Sequence, residues 1–289
     1  MTPRDNRYPE PLTEIAAEAY QLSGRLCGQC GDLHALWPYI RLTRASTGVE
    51  AQHSALHNEL DKLFARGLRD VLIAGCQDTG LLALVARAAI DRHVNITILD
   101  ICETPLELCR TVAKQWSLPI ATIRRDLAAL DVEAAFDIVL VHGTLNFISP
   151  DRRLVALKCV HDALKPNGRL LLFFNTGRTS MADQRQYAAT DYGAWVLSEL
   201  KRLNVRLPDS EPTLRRRLNA HDGRRHLREA AFAQPDEVGL LLERAGFTIE
   251  ACHALDLNVP AAMQQIMTSV AKRRFMIIAA NKHAEQSAP

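Results

Sequence analysis

A chain of 289 residues, 47% hydrophobic and 24% charged, has the composition of an ordinary globular protein and can bury one large α/β core with appendages. A formal net charge of +2 argues against a dedicated nucleic-acid binder, whose affinity rests on many phosphate contacts. No apolar run approaches the roughly 18–20 residues that span a bilayer. Seven cysteines, odd in number and scattered, do not make a disulfide framework, and Cys109 and Cys159 sit inside apolar runs as small hydrophobes. Met1 to Glu10 are polar and proline-bearing, without a positive-then-apolar leader pattern, so a cytoplasmic address is the expectation.

Residues 1–60 read as an N-terminal helical cap with an aromatic cluster at Trp37-Pro-Tyr39. From 61 to 176 short apolar runs alternate with helical patterns, the signature of βαβ units. Asp70 to Ala74 is a buried strand running into a glycine-bearing turn, and Thr79 to Ala89 is a helix with Leu82, Val85 and Ala89 on one face. Asn95 to Asp100 is the second strand, Pro105 opens the next helix, and Ala121 to Arg124 is a short third strand. The fourth, Phe136 to His142, carries four consecutive apolar residues and suits a central parallel position covered on both faces. Ser149-Pro150 caps a helix bearing Leu154, Leu157, Val160 and Leu164, the Lys165-Pro-Asn-Gly168 stretch breaks it, and Arg169 to Phe174 is the fifth strand. Residues 177–234 form a long, mostly helical insertion, expected to be a lid that binds substrate. Residues 235–289 return to the sheet: a helix from Pro235 to Arg244, a strand from Phe247 to Ala251 and a last strand from Arg274 to Ala280.

In an open α/β sheet ligands bind beyond the carboxyl ends of the strands, so the residues just after each strand are the informative ones. After the first strand stands Gly75-Cys-Gln-Asp-Thr-Gly80, where Gly75 and Gly80 allow close backbone approach and Cys76 and Gln77 line the turn. After the second, Asp100 is placed to bridge the hydroxyls of a ribose, with Ile101 beside it. After the third, Asp126 can accept from an adenine amino group while Leu127 lines the ring. After the fourth come His142 and Gly143.

Together these residues resemble the class I S-adenosylmethionine-dependent methyltransferase family, closely over residues 70–176 and by strand pattern over 235–282. Val71-Leu-Ile-Ala-Gly-Cys76 looks like its first motif and Leu99-Asp100 like its second. Phe136 to His142, followed by Leu164-Lys-Pro-Asn-Gly-Arg-Leu-Leu-Leu172, looks like its fourth- and fifth-strand signature. The resemblance implies a Rossmann-like, doubly wound sheet of seven strands with a terminal antiparallel strand, S-adenosylmethionine as cofactor, and methyl transfer to a small molecule. One departure stands out: the family has Gly-x-Gly-x-Gly in its first loop, whereas here Gln77-Asp78 occupies the region of the middle glycine. A dinucleotide enzyme would also place an acid near Asp100, but the loop lacks the Gly-x-Gly-x-x-Gly spacing, and Asp78 would face a pyrophosphate with like charge. The Asn/Asp-Pro-Pro-Tyr motif of amino-group methyltransferases is absent; His142-Gly-Thr-Leu-Asn146 stands in its place.

His142 is the candidate for contact with the reacting groups, as a base or as a packing residue. Tyr187, Tyr192 and Trp195, with Trp37 and Tyr39 from the cap, are candidates for an aromatic substrate pocket. Arg217, in a stretch with Arg215, Arg216, Arg224, Arg225, Arg228, His221 and His226, would receive a carboxylate or phosphate unless these are solvated faces. The expected acceptor is therefore a small planar or acidic molecule, with no nucleic acid and no membrane as partner and a homodimer admissible. The readings held against this are a non-catalytic ligand sensor or partner-binding relative of the same fold, and an RNA methyltransferase. Cys27-Gly-Gln-Cys30 with His53 and His57 would offer two thiolates and two imidazoles to zinc, but the gap between the pairs exceeds zinc-finger spacing, and no metal is expected.

Overall fold

The computed structural model describes residues 7–28, 30–44, 53–176, 191–228, 232–255 and 273–281. Five strands run parallel, β1 (Asp70–Ala74), β2 (Asn95–Asp100), β3 (Ile120–Arg124), β4 (Phe136–His142) and β5 (Leu164–Thr176). β7 (Arg273–Asn281) lies antiparallel between β5 and β6 (Phe247–Leu255), giving the seven-stranded order β3-β2-β1-β4-β5-β7-β6. Sheet and fold class are those expected from the sequence.

Successive side chains of a strand point to opposite faces, and the apolar runs exploit this. Val71, Ile73, Ile138, Leu140, Leu171 and Phe173 face one helical layer; Leu72, Ala74, Val139, Val141, Leu170, Leu172 and Phe174 face the other. The first layer holds α3 (His53–Ala65), α4 (Gly80–Ala88) and α5 (Glu103–Gln115). After a one-turn helix α6 (Thr144–Phe147), the second layer is built from α7 (Pro150–Ala163) and, further along, Pro235–Arg244.

Several boundaries differ from the expectation for local reasons. Lys165 to Gly168 does not interrupt β5, which starts at Leu164; the pairing with β4 jumps from Phe136↔Leu164 to Ile138↔Arg169, so the extra residues are absorbed as an irregularity with Asn167 at φ +63°. Ser149 takes the N-cap position of α7 without a side-chain bond to the helix, and Pro150 starts it. β6 continues to Leu255 because it pairs with β7 along its length. α3 runs through the expected boundary at residue 60: Leu56, Leu60, Leu63 and Phe64 are buried with the sheet, so this helix is part of the core layer.

The remaining helices form a layer of their own. α1 (Leu12–Leu26) sets Ile15, Ala19 and Leu22 against Leu108 and Val112 of α5. Its other side, with Ala35, Leu36, Tyr39 and Ile40 of α2 (Gly31–Leu42), meets the two described helices of the insertion, α8 (Tyr192–Arg202) and α9 (Glu211–Arg228). The described helices of the insertion thus bury their apolar faces on the N-terminal helices. α10 (Pro235–Arg244) then leads back to the sheet.

At the amino-terminal edge Asp137 ties β1 to β4: its carboxylate accepts from the backbone N–H groups of Arg69 at 2.8 Å and Asp70 at 2.9 Å, with Lys165 Nζ 3.2 Å away. Burial opposes ionisation, but the two amides and the lysine outweigh it and hold this carboxyl below its ordinary value. A depressed folded value means the stabilisation is full above the unfolded pKa of about 3.9 and is lost as pH falls through the folded one. Asp137→Asn is expected to cost about 1–2 kcal/mol at pH 7, with the gap to wild type narrowing as pH falls from about 4, in urea titrations at a series of pH values.

Candidate active site and thiol cluster

A cleft opens at the carboxyl ends of β1, β2, β4 and β5, where the strand order reverses between β1 and β4. Its floor is Gly75, Cys76 and Gln77 after β1, Asp100 to Cys102 after β2, His142 to Thr144 after β4, and Phe173 to Asn175 ending β5; α2 roofs it with His34, Trp37 and Arg41. Gly75 holds φ +88° and donates to Leu99 O at 2.7 Å. A Cβ there would stand 2.3 Å from Thr144 Oγ1, which itself donates to Ala74 O at 2.9 Å. Conformation and space therefore both require glycine.

Asp100 is 8% exposed and accepts one backbone N–H on each oxygen, from Cys76 and from Cys102, both at 2.8 Å. Burial raises its pKa against the Cys102 amide, the neighbouring His34 and the Cys76 amide. Each oxygen keeps a lone pair for a hydroxyl from the cleft. Beside it Ile101, 66% exposed, presents an apolar side chain to the same space.

Asp78, in the place of the middle glycine, turns inward. One oxygen accepts from Gly80 N at 2.9 Å at the start of α4, and the other from Arg41 Nη1 at 2.7 Å. Arg41 also donates to both carboxylate oxygens of Glu10, each at 2.9 Å, and Glu10 accepts from Thr79 Oγ1. For Glu10, burial works against ionisation, yet Arg41 and Thr79 hold its pKa low; for Asp78, burial raises the pKa against Arg41, with Glu10 adding to the rise.

At the roof, the sulfurs of Cys27 and Cys30 each lie 3.4 Å from Cys102 Sγ, and Thr104 Oγ1 is 3.1 Å from Cys27 Sγ. His34 completes the group, its Nδ1 donating to Gln77 O at 3.0 Å. Donation from the Cys27 and Cys30 thiols holds the Cys102 thiol far below its ordinary pKa, against its burial. The metal-ligand set considered from the sequence is thus divided: Cys27 and Cys30 gather with His34 and Cys102, while His53 and His57 stack on each other at 5.7 Å on α3.

Gly75, Cys76, Gln77, Asp100, Ile101, His142 and Gly143 line the cleft; Gly80, Asp126 and Leu127 do not. Gly80 packs on the Arg41 guanidinium, where a Cβ would come within 2.9 Å of Cζ. Leu127 is buried in the sheet core, and Asp126 accepts from Ala128 N at 2.9 Å and from Arg152 Nη1 at 2.8 Å, holding a short turn after β3. Among the described aromatic and basic substrate candidates, Trp37 alone reaches the cleft. Tyr39, Tyr192 and Trp195 pack between the helices, because the insertion has its own apolar face to bury. Arg217 donates to Asp32 at 2.9 Å and lies over the Tyr20 ring at 4.7 Å, while Tyr187 and the side chains from 222 to 228 lie outside the described residues. Sequence reasoning missed Arg41, His34, Cys102, Phe173 and Asn175. Phe173 and Asn175 end a strand and were readable by the rule that found His142; the α2 residues were not.

Residues 71–168 match the family model described as a methyltransferase domain. The match covers about a third of the chain and supports the resemblance to the class I S-adenosylmethionine-dependent methyltransferases read from the sequence. The chain is 22% identical over 171 residues to a carboxy-S-adenosyl-L-methionine synthase of Shewanella piezotolerans, an alignment covering 58% of this chain and 65% of that protein. It is 29% identical over 156 residues to the enzyme of that name from Pseudomonas savastanoi pv. phaseolicola, covering 46% and 62%. The chain therefore spans less than two thirds of the length of these curated relatives. Among solved structures, the [4+2]-cyclase SpnF shares the fold at a TM-score of 0.54 and 14% identity, over 91% of this chain and 95% of that one.

S-adenosylmethionine is the cofactor of this domain type, and the cleft fits it: a backbone cradle at Gly75, two carboxylate oxygens with acceptor capacity at Asp100, and carboxylates in excess over the one guanidinium. Gly75→Ala is expected to weaken binding of S-adenosylmethionine by at least tenfold in calorimetry, because the added methyl group must displace Thr144 and strain the backbone by about 1–3 kcal/mol. Unchanged affinity in the folded variant would remove the first loop from the cofactor site.

Proposed function

We propose that the protein transfers a methyl group from S-adenosylmethionine to a small-molecule acceptor with a planar, largely apolar body. The observation that supports this reading is the chemistry of the cleft. Leu33, Trp37, Leu81, Phe147, Phe173 and Phe174 supply apolar and aromatic surface. Among the described lining residues Arg41 is the lone lysine or arginine, and two carboxylates already engage it. An acidic acceptor, the other class considered from the sequence, finds no uncommitted basic partner among them.

When bound, the cofactor supplies a methyl carbon activated by a sulfonium. Asp100 would hold the ribose hydroxyls, and Ile101 would lie against the adenine. The Glu10–Arg41–Asp78 group, net negative when both acids are ionised, complements a cationic methionine end. Trp37 and Phe173 would orient a flat acceptor and keep water from the reacting centre. His142 ends β4 with its ring 5.1 Å from that of Phe173, and would take the acceptor's proton where one must leave.

The relatives' name supplies a second reading, in which the methyl carbon of the cofactor acquires a carboxylate. That product carries an extra anion, which needs a cationic partner; the pairing of Arg41 disfavours it. The fold does not choose between these, since the same architecture serves a cyclase.

Calorimetry with S-adenosylmethionine, its demethylated product and NAD is expected to show binding of the first two only. Incubation with planar acceptors should yield a product 14 Da heavier by mass spectrometry, the mass of one CH₂, with the demethylated cofactor in equal amount. A folded protein that binds neither sulfur compound would overturn the proposal, and a carboxylated cofactor among the products would establish the second reading. Asp100→Asn should weaken cofactor binding by about 1.5–3 kcal/mol, the scale of a charge-assisted hydrogen bond. His142→Gln should lower kcat and leave the cofactor KM within twofold; an unchanged kcat would leave His142 as packing against Phe173.

A further inference from the structure

The thiol cluster lies beside the cofactor site without being part of its chemistry. Among the described residues it is the one place where at least three metal-ligating side chains converge: Cys27, Cys30, His34 and Cys102 bring their ligand atoms within 4.8 Å of one another. Three separate elements contribute. Cys27 follows α1, Cys30 precedes α2, His34 lies in the first turns of α2, and Cys102 is in the turn between β2 and α5. Chain connectivity accounts for the pair Cys27/Cys30 and its closeness to His34; it does not account for Cys102, which comes from 72 residues further along than Cys30.

The geometry points to a structural zinc ion bound by Cys27, Cys30, His34 and Cys102. A tetrahedral ion with bonds of about 2.3 Å to sulfur spaces its thiolates about 3.8 Å apart. The observed 3.4 Å from Cys102 to each of the other sulfurs is close to that edge and well beyond the roughly 2.05 Å of a disulfide. His34 is oriented for the role: Nδ1 is committed to the Gln77 carbonyl, which fixes the tautomer and leaves Nε2 for the ion, the usual outer-shell arrangement of a zinc histidine. Thr104 Oγ1 stands in the same outer position for Cys27, where a hydroxyl donates to a thiolate. Three soft thiolates and an imidazole select zinc over hard cations, and four protein ligands leave no open position, so the ion is a tether and not a reagent. On binding, the thiols release their protons to solvent, and three sulfur–metal bonds and one nitrogen–metal bond form.

The consequence lies in what the tether holds. Cys102 N donates to Asp100, and His34 is bonded to Gln77 of the first loop. Zinc would therefore lock α2 onto the two segments that bind the cofactor, and metal loading and cofactor affinity should rise together.

The full-length protein, produced in zinc-supplemented medium and purified without chelator, should contain about one zinc per chain by elemental analysis. After chelation, titration with Co²⁺ alone should give the visible bands of a tetrahedral site and the near-ultraviolet thiolate charge transfer, saturating at one equivalent and reversed by zinc. Cys102→Ser and His34→Ala should each lower zinc affinity by more than the ~10–100-fold that loss of an outer-shell partner costs. Cys159→Ser and Cys252→Ser, away from the cluster, should leave it unchanged. Folded wild-type protein that takes up no Co²⁺ with its thiols reduced overturns the assignment. So does iron in place of zinc, or a disulfide among the three cysteines in protein made with ample zinc. Metal content is read without cofactor or acceptor, so its outcome is separate from that of the methyl-transfer proposal.

Discussion

Arg41 sets the constraint on which the cleft depends. Its guanidinium cannot shed its proton, yet its side chain is 3% exposed, so it has to be neutralised where it stands. The acids that do this come from two places far apart in the chain, Glu10 ahead of α1 and Asp78 in the turn after β1. A buried ion triad contributes little net stability, because desolvation takes back most of the Coulomb gain, but separating its members leaves a bare buried charge at about 3–5 kcal/mol. Its value lies in specificity: the N-terminal segment, α2 and the first loop are compatible with a folded core in one mutual arrangement.

That constraint explains the departure from the glycine pattern. Aspartate at residue 78 lies at the edge of the cleft, bonds the first amide of α4 and meets Arg41, so the loop keeps the backbone approach at Gly75 and gives up freedom at the position where the roof attaches. The same substitution shapes the charge of the site. Two carboxylates against one guanidinium, with Asp100 nearby, disfavour a pyrophosphate and suit a ligand with a cationic end. A loop that looks degraded by motif is a loop with a second attachment.

The sheet was legible in the sequence because its two innermost strands are uninterrupted apolar runs: with both faces covered, nothing competes with the reading of residues 71–74 and 138–141. That Asp100 and His142 line the cleft could be read for a related reason, since the end of a buried strand is sharply marked and clefts of such sheets open there. Asp126 lies off the cleft, because β3 is an edge strand whose following turn uses this carboxylate as its own cap. In the described part of the insertion, Tyr192 and Trp195 satisfy the periodicity of a helix that must bury one face, and no pattern in the segment says whether it buries it on a ligand or on α1 and α2. Cys102 was read as nothing because its partners lie in another element, and spacing along the chain carries no information about such a meeting.

α2 carries the remaining part of the reading. Residues 34, 37 and 41 recur at helical spacing, and the face they make is neither apolar nor solvated: a histidine, a tryptophan and an arginine, all buried and all lining the cleft. A face of that composition is a poor packing surface, since two of its three members demand polar partners. It is a good roof, because the Gln77 carbonyl that holds His34 and the Asp78 carboxylate that, with Glu10, holds Arg41 both belong to the loop after β1 that floors the cleft. Trp37, between them, also lines the cleft and is the member that the proposed methyl transfer would set against an acceptor. The side chains that hold the roof and the one that would sort acceptors are thus interleaved on a single helix. The described helices of the insertion, by packing on α1 and α2 from outside, stiffen that helix without entering the cleft.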